Sequence, residues 1–397
     1  MELPARFVER VLRDLGEAEG RALCAALDAP SPVSIRLNPA KCGAGWGACR
    51  ILGEDAAAEC AGLVPGKCAG SIPGAGAAEG ADSRVPGTGV AGGSVCRGSG
   101  AEAADGSAAT CDDAVAGLLR RLGATERVPW SDAGWYLAAR PLFTLDSDFH
   151  AGAYYVQEAS SQVVGRLLGG DALRGARVLD LCAAPGGKTT LYASLVGSEG
   201  LVVANEIDRR RAQVLADNVR KWGTGNVAVT CCEPRTVCDF EAWFDVVAVD
   251  APCSGEGMFR KDDEARAEWS EGNVRMCAAR QDDILREAWR ALRPGGTLLY
   301  STCTFNRDED EGSLERMLAW AGDEVAAPYP VDVDPAWGIV EGEVGPFRTF
   351  RFFPHRTVGE GFFAAVARKA PDAGGRTRAP KARRSIISAV DRTSAAE

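Results

Sequence analysis

From residue 177 onward, short apolar runs alternate with longer amphipathic runs. The amphipathic runs at Arg209–Trp222 and Ala279–Leu292 have the spacing of helices, and the turn at Pro294–Gly296 is expected to end the second. The apolar runs predict seven strands: Val178–Leu181, Leu201–Glu206, Val227–Cys231, Phe244–Asp250, Thr297–Thr302, Phe347–Phe353 and Gly361–Arg368. Strands that alternate with helices predict an α/β fold with a doubly wound, mostly parallel sheet.

The N-terminal part has a different pattern. Residues 3–28 carry apolar side chains at helical spacing, and Ser34–Pro39 alternates like a short strand. Arg36 and Asn38 lie on the same face of that strand, either as polar contacts or as solvent-facing residues. Nearly half of the residues from 42 to 111 are Gly or Ala, which predicts a disordered insertion at 42–111 without functional residues.

Order is expected to resume with a helix at Val115–Leu122. The aromatic residues between Val128 and Tyr155 are interpreted as core, and Ser160–Leu168 as a helix. We therefore divide the chain into an N-terminal domain of residues 1–41 and 112–150, the insertion, a second domain at 151–369 and a basic flexible tail at 370–397.

Composition narrows the class of protein. The chain has 397 residues, 46% of them hydrophobic, and no apolar run long enough for a membrane span or a secretory signal, so a cytoplasmic protein is expected. Its 14 cysteines form no C-x2-C pair and there are two histidines, which argues against a metal site. The net charge of −10 disfavours nucleic acid, but the basic tail partly offsets it.

A tight turn follows the first strand of the second domain. Pro185, Gly186 and Gly187 lead into Lys188, and Glu206 ends the next predicted strand, where an acid can accept hydrogen bonds from ribose. The turn ends like a phosphate-binding loop, but position 182 is Cys where that loop requires Gly. This pattern favours a nucleoside cofactor over a triphosphate.

Two further strand ends carry reactive side chains. One strand runs into Asp250 and Cys253, and another into Cys303. Because the carboxyl ends of parallel strands open on the same crevice, these groups are expected to converge beside the ribose site. Proton-transfer and nucleophile roles are both available to them.

The motifs DLCAAPGGKT at 180–189, DAPCSGEGMFRKD at 250–262 and STCTFNRDEDE at 301–311 resemble those of the RNA cytosine-C5 methyltransferases that use S-adenosylmethionine. SIRLN at 34–38, GAYYVQEASS at 152–161 and PHRTVGEGFF at 354–363 also match. The motif sequences are most similar to those of the branch that modifies small-subunit ribosomal RNA. The resemblance covers residues 3–41 and 127–369, and it implies a Rossmann-like class I fold with a small α+β N-terminal domain that contacts RNA.

The resemblance also implies roles for individual residues. Cys303 would be the nucleophile that adds to C6 of cytosine, Cys253 would assist release, and Asp250 would hydrogen-bond the cytosine edge. Lys188 and Lys261 would neutralise RNA phosphate or position the base. The side chain of Cys182 would pack in the wall of the cofactor site. The residues predicted to contact the cofactor S-adenosylmethionine are Cys182, Ala183, Ala184, Pro185, Gly186, Gly187, Lys188, Glu206, Glu233 and Asp250.

Three functions stay open at this point. The first is methylation of 16S ribosomal RNA by a monomer without metal or membrane partner, and the second is the same chemistry on transfer RNA. The third is a non-catalytic ribosome-assembly or RNA-binding factor on the same fold. The retention of Asp250, Cys253 and Cys303 together argues against the third, because a binding module needs none of them.

Overall fold

The computed structural model describes residues 2–42 and 111–371. The insertion predicted at 42–111 and the tail predicted at 370–397 lie almost entirely outside the described residues. Among the residues that are described, no helix is long and apolar enough to cross a membrane.

The N-terminal part contains a small antiparallel sheet in the order β2-β3-β1-β4. The sheet extends to Val156, beyond the boundary predicted at residue 150. Its strands are β1 (Val33–Leu37), β2 (Ala124–Arg127), β3 (Gly134–Leu137) and β4 (Tyr154–Val156), and the helices of this part are α1 (Ala5–Leu15), α2 (Glu17–Leu27), α3 (Cys111–Leu122), α4 (Ser147–His150) and α5 (Val164–Leu167).

The second part is a larger sheet covered by helices, in the order β11-β12-β13-β9-β8-β5-β6-β7, with β10 paired to β13. The strands β7, β6, β5, β8 and β9 are parallel, and the remaining pairs are antiparallel. Its strands are β5 (Arg177–Asp180), β6 (Leu201–Asn205), β7 (Val227–Thr230), β8 (Phe244–Asp250), β9 (Leu292–Thr302), β10 (Val325–Ala326), β11 (Val340–Val344), β12 (Phe347–Phe352) and β13 (Phe362–Lys369).

The helices of this part are α6 (Gly187–Val196), α7 (Arg209–Trp222), α8 (Pro234–Val237), α9 (Asp263–Glu268), α10 (Glu271–Ala291) and α11 (Glu311–Ala321). They cover both faces of the sheet. On one face α10 packs Leu285 and Trp289 into a core cluster, and on the other α6 packs Tyr192 and Val196 into a second cluster. The Rossmann-like α/β fold is therefore confirmed.

Three details of the prediction are wrong. The larger sheet has nine strands within the described chain and not seven, because β10 has only two residues and β11 has an exposed polar centre, Glu341–Glu343. The strand predicted to start at Thr297 starts at Leu292: α10 ends at Ala291, one residue from its predicted end, and the Pro294–Gly296 turn lies inside β9, where Gly295 has φ +74°. The expected helix Ser160–Leu168 is a 3-10 turn followed by the short α5.

The N-terminal helices pack beside the segment that follows β8 and carries the motif at 250–262. Phe7 of α1 is fully buried and meets the rings of Phe259 and Trp269 edge to face, at centroid distances of 5.0 and 5.7 Å. Aromatic pairs of this geometry add to the energy of burial. The two helices are thus anchored to the loop that follows β8.

We expect truncation of a central strand to destabilise the protein strongly. Leu179 of β5 is fully buried between the helix layers, so Leu179→Ala should lower the free energy of unfolding by about 2–5 kcal/mol. Val214→Ala on α7, where the side chain is 49% exposed, is the control and should change it by less than about 0.5 kcal/mol. Denaturant unfolding of both variants measures the difference, and equal effects would contradict the assignment of Leu179 to the core.

Candidate active site

A cavity of about 320 Å³ opens at the carboxyl ends of β5, β8 and β9. This is the crevice that a doubly wound sheet offers to ligands. The residues that line it are Tyr155, Val156, Gln157, Glu158, Ser161, Asp180, Cys182, Ala183, Ala184, Pro185, Gly187, Lys188, Asp250, Gly257, Met258, Lys261, Cys303, Glu360, Gly361 and Phe362.

The loop between β5 and α6 forms one wall. Gly186 has φ +108° and a Cβ there would lie 3.0 Å from Leu215, so the turn requires glycine. Polar side chains hold the loop from outside: the Pro185 carbonyl accepts hydrogen bonds from Tyr155 at 3.1 Å and from Asn218 at 2.9 Å. The loop predicted to contact the cofactor therefore has a conformation supported by several elements.

The two predicted catalytic cysteines lie together. Cys253 Sγ and Cys303 Sγ are 3.3 Å apart, and Cys303 faces the cavity. The hydrogen bond between the thiols, together with burial, raises the pKa of Cys253 well above its ordinary value. Cys253 is therefore a neutral thiol at neutral pH.

Asp250 lies at the end of β8 between a cation and a hydroxyl. Its carboxylate accepts hydrogen bonds from Lys188 Nζ and from Ser301 Oγ, each at 2.8 Å. Burial by itself would lower the pKa of Lys188, but the Asp250 charge outweighs it and raises that pKa. The cavity thus holds a charged ammonium beside a carboxylate.

Two buried glutamates connect the cysteine loops, and the sequence analysis assigned them no role. Glu309 accepts hydrogen bonds from the Ser254 backbone and from the side chains of Gln281 and Asn306, at 2.8 to 2.9 Å. Glu256 accepts from Thr304, the Phe305 backbone, Asn306 and Trp269, at 2.7 to 3.0 Å. Both lie within the motifs at 250–262 and 301–311 among several other charged residues, so residue type alone does not single them out.

Neither Glu206 nor Glu233, two of the acids predicted to contact the cofactor, is among the residues that line the cavity. Glu206 is 2% exposed directly after β6, and its Oε2 accepts no hydrogen bond within the described residues, the nearest cation being Arg211 at 3.4 Å. Glu233 is exposed and forms an ion pair with Arg235 at 2.7 Å. The contribution of each acid to cofactor binding stays a prediction.

The polar residues of the N-terminal strand are not solvent-facing. Arg36 and Asn38 are both fully buried. Arg36 donates to Gln157 Oε1 at 2.7 Å, to the Gly187 carbonyl at 3.0 Å and to Thr190 Oγ1 at 2.6 Å, so it connects the small sheet to the first turn of α6. The interpretation of both residues as polar contacts is confirmed.

Lys261 also lines the cavity. Its ammonium forms an ion pair with the buried Glu360 at 2.5 Å. The ionisable side chains that line the cavity are those of cysteine, aspartate, glutamate, lysine and Tyr155. Within the described chain, no group of three or more His, Cys, Asp or Glu residues is placed to hold a metal ion.

Comparison with known proteins places the chain in a family. A model of the 16S rRNA methyltransferase RsmB/F family matches residues 171–368, and a model of the N-terminal domain of 16S rRNA methyltransferase RsmF matches residues 112–159. The chain belongs to the RsmB/F family.

Curated relatives carry the name ribosomal RNA small subunit methyltransferase F. The protein from Klebsiella pneumoniae is 37% identical over 251 residues, and that from Erwinia tasmaniensis is 37% identical over 249 residues. Each match covers 61% of this chain and 51% of the relative. The RsmB/F chain described here therefore spans about half the length of these relatives.

Solved structures share the fold. A methyltransferase homologue from Pyrococcus horikoshii aligns with a TM-score of 0.62 at 23% identity, covering 92% of this chain and 94% of its own. NSun6 from the same organism, solved with SFG, aligns with a TM-score of 0.61 at 17% identity, covering 93% and 99%. The RsmB/F chain thus has the architecture of known methyltransferases.

We expect Asp180 to make stability depend on pH. Burial raises its pKa to about 7, against an opposing hydrogen bond from Thr189 at 2.6 Å. A carboxyl whose pKa is higher in the folded state contributes its stability fully below about pH 4 and loses it as the pH rises through about 7. The free energy of unfolding of the wild type should therefore fall, relative to that of Asp180→Asn, between pH 4 and 8.

Urea unfolding across this pH range measures the effect, and each pKa unit is worth about 1.4 kcal/mol. The exposed Asp217→Asn on α7 is the matched control and should follow the wild type at every pH. Parallel curves for the wild type and Asp180→Asn would contradict the raised pKa.

Proposed function

We propose that this protein methylates carbon 5 of cytosine in RNA, with S-adenosylmethionine as the methyl donor and 16S ribosomal RNA as the substrate. The observation that carries the proposal is the pair of cysteine thiols 3.3 Å apart, one of them facing a cavity that also contains Asp250 and Lys188. Cytosine C5 is a weak nucleophile, so its methylation requires a thiolate to add to C6. Membership of the RsmB/F family supports the same reaction.

The residues present fit the proposed cofactor. All residues of the loop from Cys182 to Lys188 except Gly186 line the cavity. Among the described residues the buried Glu206 Oε2 has no hydrogen-bond donor, so it can accept from a ribose hydroxyl. When bound, S-adenosylmethionine supplies a methyl group on a positively charged sulfur. Cys182 is suited to a packing role, because burial raises the pKa of its thiol and disfavours the reactive thiolate.

Cys303 is the proposed nucleophile. Its thiolate adds to C6 of the cytosine, the C5–C6 double bond breaks, and the electron pair becomes available at C5 for the methyl group. The Gly257 backbone N–H donates to the Cys303 carbonyl at 2.8 Å, and a Cβ on Gly257 would lie 2.9 Å from that oxygen. This close approach holds the Cys303 backbone beside the loop that carries Cys253.

Cys253 is proposed to act in product release. After methylation the C5 proton must leave so that the electron pair can reform the double bond and expel the Cys303 thiolate. Cys253 is a neutral thiol 3.3 Å from the sulfur that is to be expelled. It can donate its proton to the departing Cys303 sulfur and take the C5 proton in return, which leaves two thiols and the restored C5–C6 double bond. It is therefore placed to relay the C5 proton away from the ring.

Asp250 and Lys188 are proposed to hold and polarise the base. A carboxylate accepts hydrogen bonds from the amino group of cytosine, and an ammonium stabilises the negative charge that develops on the ring when the thiolate adds. Their hydrogen bond at 2.8 Å orients both groups before the base arrives. The base would leave its stack to reach them.

Ribosomal RNA is the proposed substrate because the curated relatives are named for it, although they are about twice as long as the matched region of this chain. Transfer RNA is the second candidate, since the same site chemistry would serve it. A non-catalytic factor would not need two adjacent cysteine thiols, one of them lining the cavity.

The two cysteines should give opposite results on substitution. Cys303→Ser should abolish methylation, because a hydroxyl is a far weaker nucleophile than a thiolate. Cys253→Ser should retain addition to C6 but slow release, so that a covalent protein–RNA adduct accumulates. Transfer of labelled methyl groups and denaturing gel electrophoresis measure the two effects.

Cys24→Ala on α2 is the control and should behave like the wild type, since this thiol lies apart from the cavity. An adduct with Cys303→Ser, or the same behaviour of both active-site variants, would overturn the assignment of roles.

A second assay tests the identity of the substrate independently of the proposed reaction. We expect labelled methyl groups to appear in 16S ribosomal RNA or in assembled small subunits, and not in transfer RNA. The assay compares naked ribosomal RNA, assembled subunits and transfer RNA, followed by mapping of 5-methylcytosine. Labelling confined to transfer RNA would refute the proposed substrate while leaving the proposed chemistry intact.

A further inference from the structure

A second cavity of about 240 Å³ lies next to the first. Tyr155, Val156 and Pro185 line both, so the two cavities adjoin each other at these residues. Beyond that shared wall, the second cavity is lined mainly by Phe149, Asn218, Lys221 and Trp222. Nothing in the proposed reaction uses this space.

The walls of the second cavity are aromatic. The rings of Tyr155 and Trp222 have centroids 6.5 Å apart and are inclined by 68°, and Lys221 Nζ lies 4.9 Å from the centre of the Phe149 ring. At about 30 Å³ for each water molecule, the volume corresponds to several waters and admits a planar ring. Stacking on aromatic side chains is the usual way in which proteins hold an unpaired nucleobase.

Asn218 supplies a polar group to the same wall. Its amide nitrogen donates to the Pro185 carbonyl at 2.9 Å, which orients the side chain. No described residue donates a hydrogen bond to its Oδ1. An amide oxygen held in this way can accept from the amino or imino group of a base.

Three cations surround this region without a carboxylate partner among the described residues. Arg36 is fully buried with its guanidinium 4.5 Å from the centre of the Trp222 ring, and its Nη1 makes no hydrogen bond to any described residue. Lys41 donates to the backbone carbonyls of Ala151 and Lys221, and Lys221 itself forms no ion pair in this part of the chain. This excess of positive charge favours an anionic ligand.

We propose that the second cavity binds a nucleotide of the RNA that flanks the target cytosine, with its base against the aromatic wall and its phosphate at Lys221. The inference rests on the proposed function, because it takes the ligand to be the same RNA strand. The wall shared with the first cavity supports this occupant, since a strand whose target base enters one cavity places its neighbouring nucleotide near that wall. The combination of rings, one amide and unpaired cations matches the chemistry of a single-stranded nucleotide.

The phosphate contact can be tested through the salt dependence of RNA binding. We expect Lys221→Gln to lower the slope of log affinity against log salt by about 0.7, the value for one phosphate contact on a single strand. Arg220→Gln is the matched control: it removes the same charge one residue earlier on α7, from an exposed side chain paired with Asp217, and should leave the slope unchanged. Equal slopes for the two variants would overturn the phosphate contact.

The base contact can be tested on the wild-type chain. A single 4-thiouridine next to the target cytosine should crosslink on irradiation to the peptides that carry Phe149, Tyr155 or Trp222. Phe149→Leu should weaken RNA binding by about fivefold or more, because it loses a stacking surface, while affinity for S-adenosylmethionine stays unchanged. Crosslinks confined to other regions of the chain, including residues 43–110, would overturn the proposal.

These measurements do not require turnover. If the protein binds RNA through Lys221 but transfers no methyl group, the proposed function fails and the nucleotide site stands. If the protein methylates RNA, but Lys221→Gln keeps the wild-type salt dependence of RNA binding and no crosslink forms at the second cavity, the proposed function stands and the nucleotide site fails.

Discussion

The position of the reactive thiols depends on a buried amide that joins two carboxylates. Asn306 donates to Glu256 Oε1 at 3.0 Å and to Glu309 Oε1 at 2.8 Å, and so connects the loop after β8 with the loop after β9. All three side chains are almost completely buried, and a buried polar group left without its partner costs about 1–3 kcal/mol, more where it is charged. Removal of one member would leave several partners unsatisfied, so the two loops are held as one unit.

The same network makes the two thiols chemically different. The hydrogen bond with Cys303, burial and the charge of Glu309 together raise the pKa of Cys253, whereas Cys303 faces the cavity that Lys188 also lines. Two side chains of one residue type can thereby take different roles, because their electrostatic surroundings differ.

Much of the sheet and of the site could be predicted from the sequence because parallel strands are buried on both faces. Such strands are continuous apolar runs, and β8 and the amphipathic α7 have the predicted bounds. β11 could not be predicted in this way, since its centre is exposed and polar. The thiol pair followed from the strand ends, but Glu256 and Glu309 did not, because their partners are backbone groups and side chains brought together only by the fold.

A buried arginine, Arg36, connects the N-terminal sheet to the turn at the start of α6. Arg36 is fully buried and has no carboxylate partner in the described part of the chain, which is costly, and burial lowers its pKa to about 9. The hydrogen bonds that Arg36 donates to Gln157, to the Gly187 carbonyl and to Thr190 offset that cost only while the small sheet packs against the start of α6. Displacement of the small sheet would therefore also release the turn at Gly187. Since β4 contributes Tyr155 to both cavities, contacts made by the N-terminal part and the conformation of the cofactor loop are energetically coupled.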